Sequence, residues 1–226
     1  FAPYASDLIG LLDEGARAAT EAAARSGRGL RIAAVTTAAE SFVPALMQAF
    51  AADRPDVELA LEVGNRDEVL ALVLDHVADI AFTGRPPQDG RVAATPLGAN
   101  ELVLITTPDD AMAGTKVAAA DLRGRPWLLR EAGSGTRAVN EAFLASAGLD
   151  ARTLTVGSNG AIKQAVRSGL GVSFVSRDAV ASELETGQLA VIDVDPAPGA
   201  RAWHMLRSQV GPSRPVVEEF VAFVTQ

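Results

Sequence analysis

Apolar residues recur along this chain with two periods, which divide it into a leading helix and an alternating body. Tyr4, Leu8, Leu11, Gly15, Ala18 and Ala22 follow a 4-3-4-3-4 spacing. That spacing predicts one seam along a long helix over residues 4–24, ended by Gly27 and Gly29. Short apolar or alternating runs then predict strands at 30–35, 57–63, 79–82, 92–97, 101–106, 127–129, 154–156, 171–175, 189–194 and 203–206. Helical patterns fall between most of them, at 43–52, 66–74, 139–147, 161–168, 178–185 and 216–224. Such alternation predicts an α/β fold of parallel sheets with crossover helices. Polar joints marked by Gly and Pro, after Leu97 and at 196–199, divide the strands into two groups.

The loops after these strands share one chemistry. The richest is Arg130-Glu131-Ala132-Gly133-Ser134-Gly135-Thr136-Arg137, between an apolar strand and an amphipathic helix carrying Val139, Phe143 and Leu144. A strand that enters a helix through Gly-Ser-Gly-Thr presents the free N–H groups of the first turn, and such ends hold anions. Thr36 and Thr37 follow the first strand, and Glu40 stands three residues after Thr37 as in a capping box. Pro44 suits a first helical turn and predicts a later start for the main helix. Gly64, Asn65 and Glu68 repeat the capping pattern, followed by Thr83-Gly84-Arg85, Gly157-Ser158-Asn159 and Ser176-Arg177. Each loop alone reads as a helix cap. Together they predict a polar cleft, because open α/β sheets bind ligands at the carboxyl ends of their strands. Glu40, Glu68 and Glu131 read as capping or structural partners. Lys163 reads as a solvated helix residue, His76 and His204 as structural, and Trp127 and Trp203 as core near a hinge.

Composition removes several classes. The 226 residues include no cysteine and two histidines, which excludes disulfides, thiol catalysis and thiolate metal sites and leaves no expected metal. The net charge of −8 argues against nucleic-acid binding by these residues. No apolar run nears the roughly 20 residues of a membrane span. No basic segment leading into an apolar one opens the chain, so no signal peptide is expected.

From Leu30 onward the chain resembles the effector-binding domain of LysR-type transcriptional regulators. The resemblance rests on Val156-Gly157-Ser158-Asn159-Gly160-Ala161-Ile162-Lys163-Gln164-Ala165-Val166 with Gly169-Leu170-Gly171-Val172. Phe50 before Pro55-Asp56-Val57, and Asp121-Leu122 before Gly124, Pro126 and Trp127, also match that family's pattern. The run Arg130 to Arg137 is similar to the branch that governs carbon fixation and sulfur assimilation. Gly160 departs from the pattern, since relatives commonly carry Glu there.

The resemblance implies a two-lobed fold like that of type II periplasmic binding proteins, with lobe I at 30–98 and 201–226 and lobe II at 99–200. Residues 1–28 would close a linker helix that pairs subunits, and a winged helix-turn-helix would precede it in the parent protein. DNA would be reached only through that domain. The implied role is cytoplasmic sensing of a small effector, without catalysis or cofactor. The effector would touch Thr36, Thr37 and Thr83 on one side and Arg130, Ser134, Gly135, Thr136, Arg137, Ser158 and Asn159 on the other. Cationic and hydroxyl donors in an acidic protein predict that this effector is anionic. The branch suggests sulfur oxyanions, phosphorylated sugars or carboxylates, or nicotinamide nucleotides. A homodimer or homotetramer is implied, with Leu46, Phe50 and Phe143 among apolar positions that exceed one buried stripe, although some of them must be core. Two other classes remain open: a solute-binding protein of the same fold, and an enzyme on it. The leading seam opposes the first. The second lacks a recognisable nucleophile or acid–base pair, and Gly-Ser-Gly-Thr lacks the flanks of a nucleophile elbow.

Overall fold

The computed structural model describes residues 29–88, 90–211 and 213–225. The predicted helix over 4–24 lies outside the described residues. Eleven strands are described, β1 (Gly29–Val35), β2 (Glu58–Gly64), β3 (Ile80–Thr83), β4 (Val92–Ala99), β5 (Leu102–Thr106), β6 (Lys116–Ala118), β7 (Trp127–Leu129), β8 (Thr153–Thr155), β9 (Ser173–Ser176), β10 (Ala190–Asp195) and β11 (Ala202–Ser208). The helices are α1 (Thr36–Glu40), α2 (Val43–Asp53), α3 (Arg66–Leu74), α4 (Gly135–Ser146), α5 (Asn159–Arg167), α6 (Ala181–Glu185) and α7 (Pro215–Val224).

Lobe I is built on a five-stranded sheet of order β2-β1-β3-β11-β4. Period-two burial fixes its register: Leu30, Ile32 and Ala34 of β1 face one cluster with Phe50, Phe82 and Phe220, while Ala33 faces Val69 and Val73 of α3 on the other side. Burial of each large apolar side chain is worth about 1.5–3 kcal/mol. The rings of Phe50 and Phe220 meet edge to face at 4.9 Å.

Lobe II uses the same logic. Its sheet runs β6-β10-β5-β9, and β7 pairs with β8. Leu128 donates its N–H to the Val172 carbonyl at 2.9 Å, and Val172 donates to Pro126 at 3.0 Å, so β7 is stitched to the entry of β9. Gly171 is required there, because a Cβ would lie 2.5 Å from the Pro126 carbonyl oxygen. Leu104, Trp127 and Phe174 fill one face of the sheet, and Val103, Leu128 and Val175 fill the other.

One expectation is corrected here, and one is resolved. The sheets are mixed rather than parallel, because β11 is antiparallel to β3 and β4, and β5 is antiparallel to β9 and β10. The chain leaves through β4 and β5 and returns through β10 and β11, so in each sheet the returning strand runs against the outgoing strand beside it. Phe50 and Phe143 are core residues, not surplus apolar surface, and Leu46 packs beside the same lobe I cluster. The first crossing is pinned to the second, where the Asn100 N–H donates to the Arg201 carbonyl at 2.9 Å.

Candidate cleft between the lobes

Local chemistry at the strand ends positions the site. At the end of β2, Asn65 caps α3: its Oδ1 accepts from the Asp67 and Glu68 N–H groups, both at 3.0 Å, and Glu68 Oε2 accepts from the Asn65 N–H at 2.8 Å. That predicted capping box forms. The one expected from Thr37 and Glu40 does not, because α1 starts at Thr36 directly after Val35 and carries no side-chain cap. Pro44 sits in the first turn of α2 as its fixed φ requires. Ser158 caps α5 by accepting from the Ala161 N–H at 3.1 Å. Ser134 precedes α4 without a side-chain cap, so the first-turn N–H groups after it remain available.

These ends enclose a cleft with two compartments. The inner one has a volume of about 40 Å³ and is lined by Thr36, Thr37, Thr83, Arg130, Ser134, Gly135 and Thr136 among the predicted residues. Arg66, Gly84, Asn100, Ser176, Arg201 and Trp203 line it as well. The outer compartment, about 720 Å³, opens between Arg66, Arg85 and Arg201 on the lobe I side and the start of α4 with Arg137 on the other. Ser158 and Asn159 line neither compartment.

Several predicted residues are engaged with each other instead. Asn159, 2% exposed, accepts from Arg130 Nη1 and donates to Thr37 Oγ1 at 3.0 Å and to Glu40 Oε2 at 3.3 Å. This network ties lobe II to lobe I. Arg130, also buried, donates to both Glu131 oxygens at 2.7 and 2.8 Å. Burial pushes the Glu131 carboxyl up, but its hydrogen bonds and the charges of Arg130 and Arg137 hold it below the usual carboxylate range. Arg137 pairs with Glu141 at 2.7 Å and donates to the Arg130 carbonyl at 3.0 Å. Lys163 is not a solvated residue, since it pairs with Glu183 at 2.7 Å and donates to the Ala179 carbonyl. Trp203 Nε1 donates to Asp178 Oδ2 at 2.9 Å, a second link between the lobes.

The strongest cationic feature is one the sequence reading passed over. Burial lowers the Arg201 guanidinium below its ordinary value, and the neighbouring positive charges of Arg85 and Arg66 lower it further. Arg66 pairs with Asp67 at 3.2 Å, whereas no carboxylate acts on Arg201 itself among the described residues. Arg66 donates Nε to the Arg85 backbone carbonyl at 3.3 Å, which holds its side chain against the loop that carries Arg85. A Cβ at Gly84 would meet Asn100 Nδ2 at 2.7 Å and Arg201 Nη2 at 3.2 Å, so glycine there gives both groups room. Arg66 directly follows the capping Asn65, and Arg201 directly precedes the strand that re-enters lobe I. Both positions border loops already marked as polar, which was the available signal. Among the described residues no cluster of His, Asp and Glu is placed to hold a metal ion, and no helix is long and apolar enough to cross a membrane.

Two lobes joined by two crossings, with polar strand ends facing one cleft, define a type II periplasmic-binding-protein-like ligand-binding fold. A model of the LysR substrate binding domain matches residues 23–226, and the chain belongs to that family. It is 38% identical over 196 residues to the HTH-type transcriptional regulator CbbR of Rhodospirillum rubrum, covering 86% of this chain and 65% of that protein. The chain thus spans slightly less than two thirds of that relative's length. The Synechocystis PCC6803 CcmR regulatory domain, solved in complex with 2-PG, superposes with a TM-score of 0.81 at 29% identity, covering 87% of this chain and 95% of that one. Full-length CbnR, solved with its target DNA, shares the fold with a TM-score of 0.72 at 21% identity, covering 97% of this chain and 79% of that one.

Proposed function

We propose that this domain senses a small anionic metabolite held between its lobes, and that the lobe angle it sets is passed to DNA-binding domains elsewhere in a LysR-type regulator. The observation that carries the anionic assignment is Arg201, desolvated beside Arg66 and Arg85. Such a cluster gains from each charge-assisted bond to an anion, roughly 1.5–3 kcal/mol apiece, and gains little from a neutral ligand. The 2-PG bound by the CcmR regulatory domain supports the same reading. Ligand contacts are assigned to Thr36, Thr83, Ser134, Gly135, Thr136, Arg66, Arg85 and Arg201, with Thr37, Arg130 and Asn159 holding the lobes together and Ser158 capping α5.

The same reading divides the chain into lobe I at 30–98 and 201–226 and lobe II at 99–200. It makes the protein a cytoplasmic, non-catalytic sensor that acts as a homodimer or homotetramer. DNA is reached through a separate domain, as the CbnR complex illustrates for its own chain. A solute-binding role is disfavoured because the matched relative is a transcriptional regulator.

Isothermal titration calorimetry with sulfate, inorganic phosphate, phosphate esters and carboxylates tests the assignment. At least one anion should bind, and Arg201→Gln should weaken it about tenfold or more. Binding of only neutral or cationic compounds, or unchanged affinity in Arg201→Gln, would refute it.

A further inference from the structure

We propose that Asn100 and Ser176, at the hinge end of the inner compartment, form a subsite that reads a hydroxyl group on the anionic ligand. The proposal rests on the anion-binding reading above and adds the ligand's second functional group.

Asn100 lies on the first crossing and Ser176 at the end of β9, where it pairs in register with Leu102 of β5. Both residues are more than nine-tenths buried, at 4% and 3% exposed. Asn100 Oδ1 and Ser176 Oγ have no hydrogen-bond partner, and both residues line the inner compartment. Buried polar atoms of this kind are normally satisfied, and leaving them unmade is costly. The compartment's volume of about 40 Å³ compares with the roughly 10–15 Å³ that one water needs on the same measure, so it holds a group of a few heavy atoms.

The chemistry of that group follows from its surroundings. Asn100 Oδ1 only accepts, so the group must donate. An ammonium group would donate, but Arg201, Arg66 and Arg85 repel it. A carboxylate oxygen suits the arginines but has no proton to give, and a phosphate ester, with its second pKa near 6, has shed most of its proton at about pH 7. A hydroxyl meets both demands, donating to Asn100 Oδ1 while accepting from the Ser176 hydroxyl. The ligand class is a hydroxylated anion, its charged group among the three arginines and its hydroxyl in the inner compartment.

The test compares matched pairs by calorimetry at low salt: ethyl phosphate against 2-hydroxyethyl phosphate, and propyl phosphate against glycerol 3-phosphate, with inorganic phosphate as reference. The hydroxylated member of at least one pair should bind about tenfold more tightly, the worth of one satisfied buried hydrogen bond. Asn100→Leu and Ser176→Ala, checked for folding by circular dichroism, should each reduce that ratio to about twofold or less. Members of both pairs binding the wild-type protein equally would overturn the subsite alone and assign the two polar atoms to water. Persistence of the preference in folded Ser176→Ala and Asn100→Leu would also overturn it. Failure of inorganic phosphate, every ester, sulfate and the carboxylates to bind would instead overturn the anion reading, and the subsite with it; if carboxylates alone bind, propionate against lactate makes the same comparison.

Discussion

Asn159→Ala probes the link between the lobes with one substitution. The wild-type side chain is almost fully buried, accepts from the Arg130 guanidinium, and donates across the lobes to Thr37 at 3.0 Å. The charge-assisted bond is worth roughly 1.5–3 kcal/mol and the hydroxyl bond roughly 0.5–1.5 kcal/mol. The contact to Glu40 at 3.3 Å adds little, because Glu40 is exposed. Water entering the polar gap offsets part of the loss, which leaves an expected destabilisation of about 2–3 kcal/mol. For a chain of this size that lowers the melting temperature by roughly 4–12 °C. Urea unfolding followed by far-ultraviolet circular dichroism measures it. The cross-lobe share comes from a double-mutant cycle with Thr37→Ala, with an expected coupling of about 0.5–1.5 kcal/mol. A change below about 0.5 kcal/mol, or additive effects in the cycle, would mean that the network does not hold the lobes together.

Three further outcomes are expected. Asp110→Ala should cost about 2–3 kcal/mol at pH 7 in urea unfolding, because Asp110 accepts from Arg125, from Thr106 Oγ1 at 2.6 Å and from the Met112 N–H at 2.9 Å. The Arg125 hydrogen bond leads in holding the Asp110 carboxyl below the usual range, against burial that raises it. Its stabilisation is therefore complete above the unfolded value near 3.8 and fades as pH falls toward the lower folded value, so the wild-type advantage should shrink in acid. Gly171→Ala should lower stability by about 2 kcal/mol or more in thermal unfolding, since the new methyl meets the Pro126 backbone. Arg137→Ala should weaken anion binding less than Arg201→Gln in calorimetry, because Glu141 already neutralises Arg137.

Most elements were legible because their signals are local. The stretch from Trp127 to Leu129 is a strand as read, and 66–74 is a helix with the cap that Asn65 and Glu68 announce. The short strand Lys116–Ala118 was missed, because three residues of mixed polarity carry no period. Its place is set by pairing with β10, whose residues lie far along the chain. The antiparallel strands were missed for a related reason, since periodicity reports burial but not direction. At the cleft, the glycine and hydroxyl loops pointed to the right strand ends. Which side chains remain open to a ligand was not legible, because that depends on partners from the other lobe. Arg130 and Asn159 look like binding residues in sequence and are consumed by each other, whereas Arg201 looks like a loop residue and lies in the cleft.

The two tryptophans give the domain a built-in optical readout. Trp203 belongs to lobe I, yet its indole N–H reaches the Asp178 carboxylate of lobe II at 2.9 Å. A negative charge beside an indole shifts its emission, so any swing that parts the lobes should change the colour of Trp203 without an added dye. Trp127, fully enclosed within lobe II among Phe143 and Phe174, should stay constant through the same swing. One tryptophan serves as the signal and the other as its internal reference.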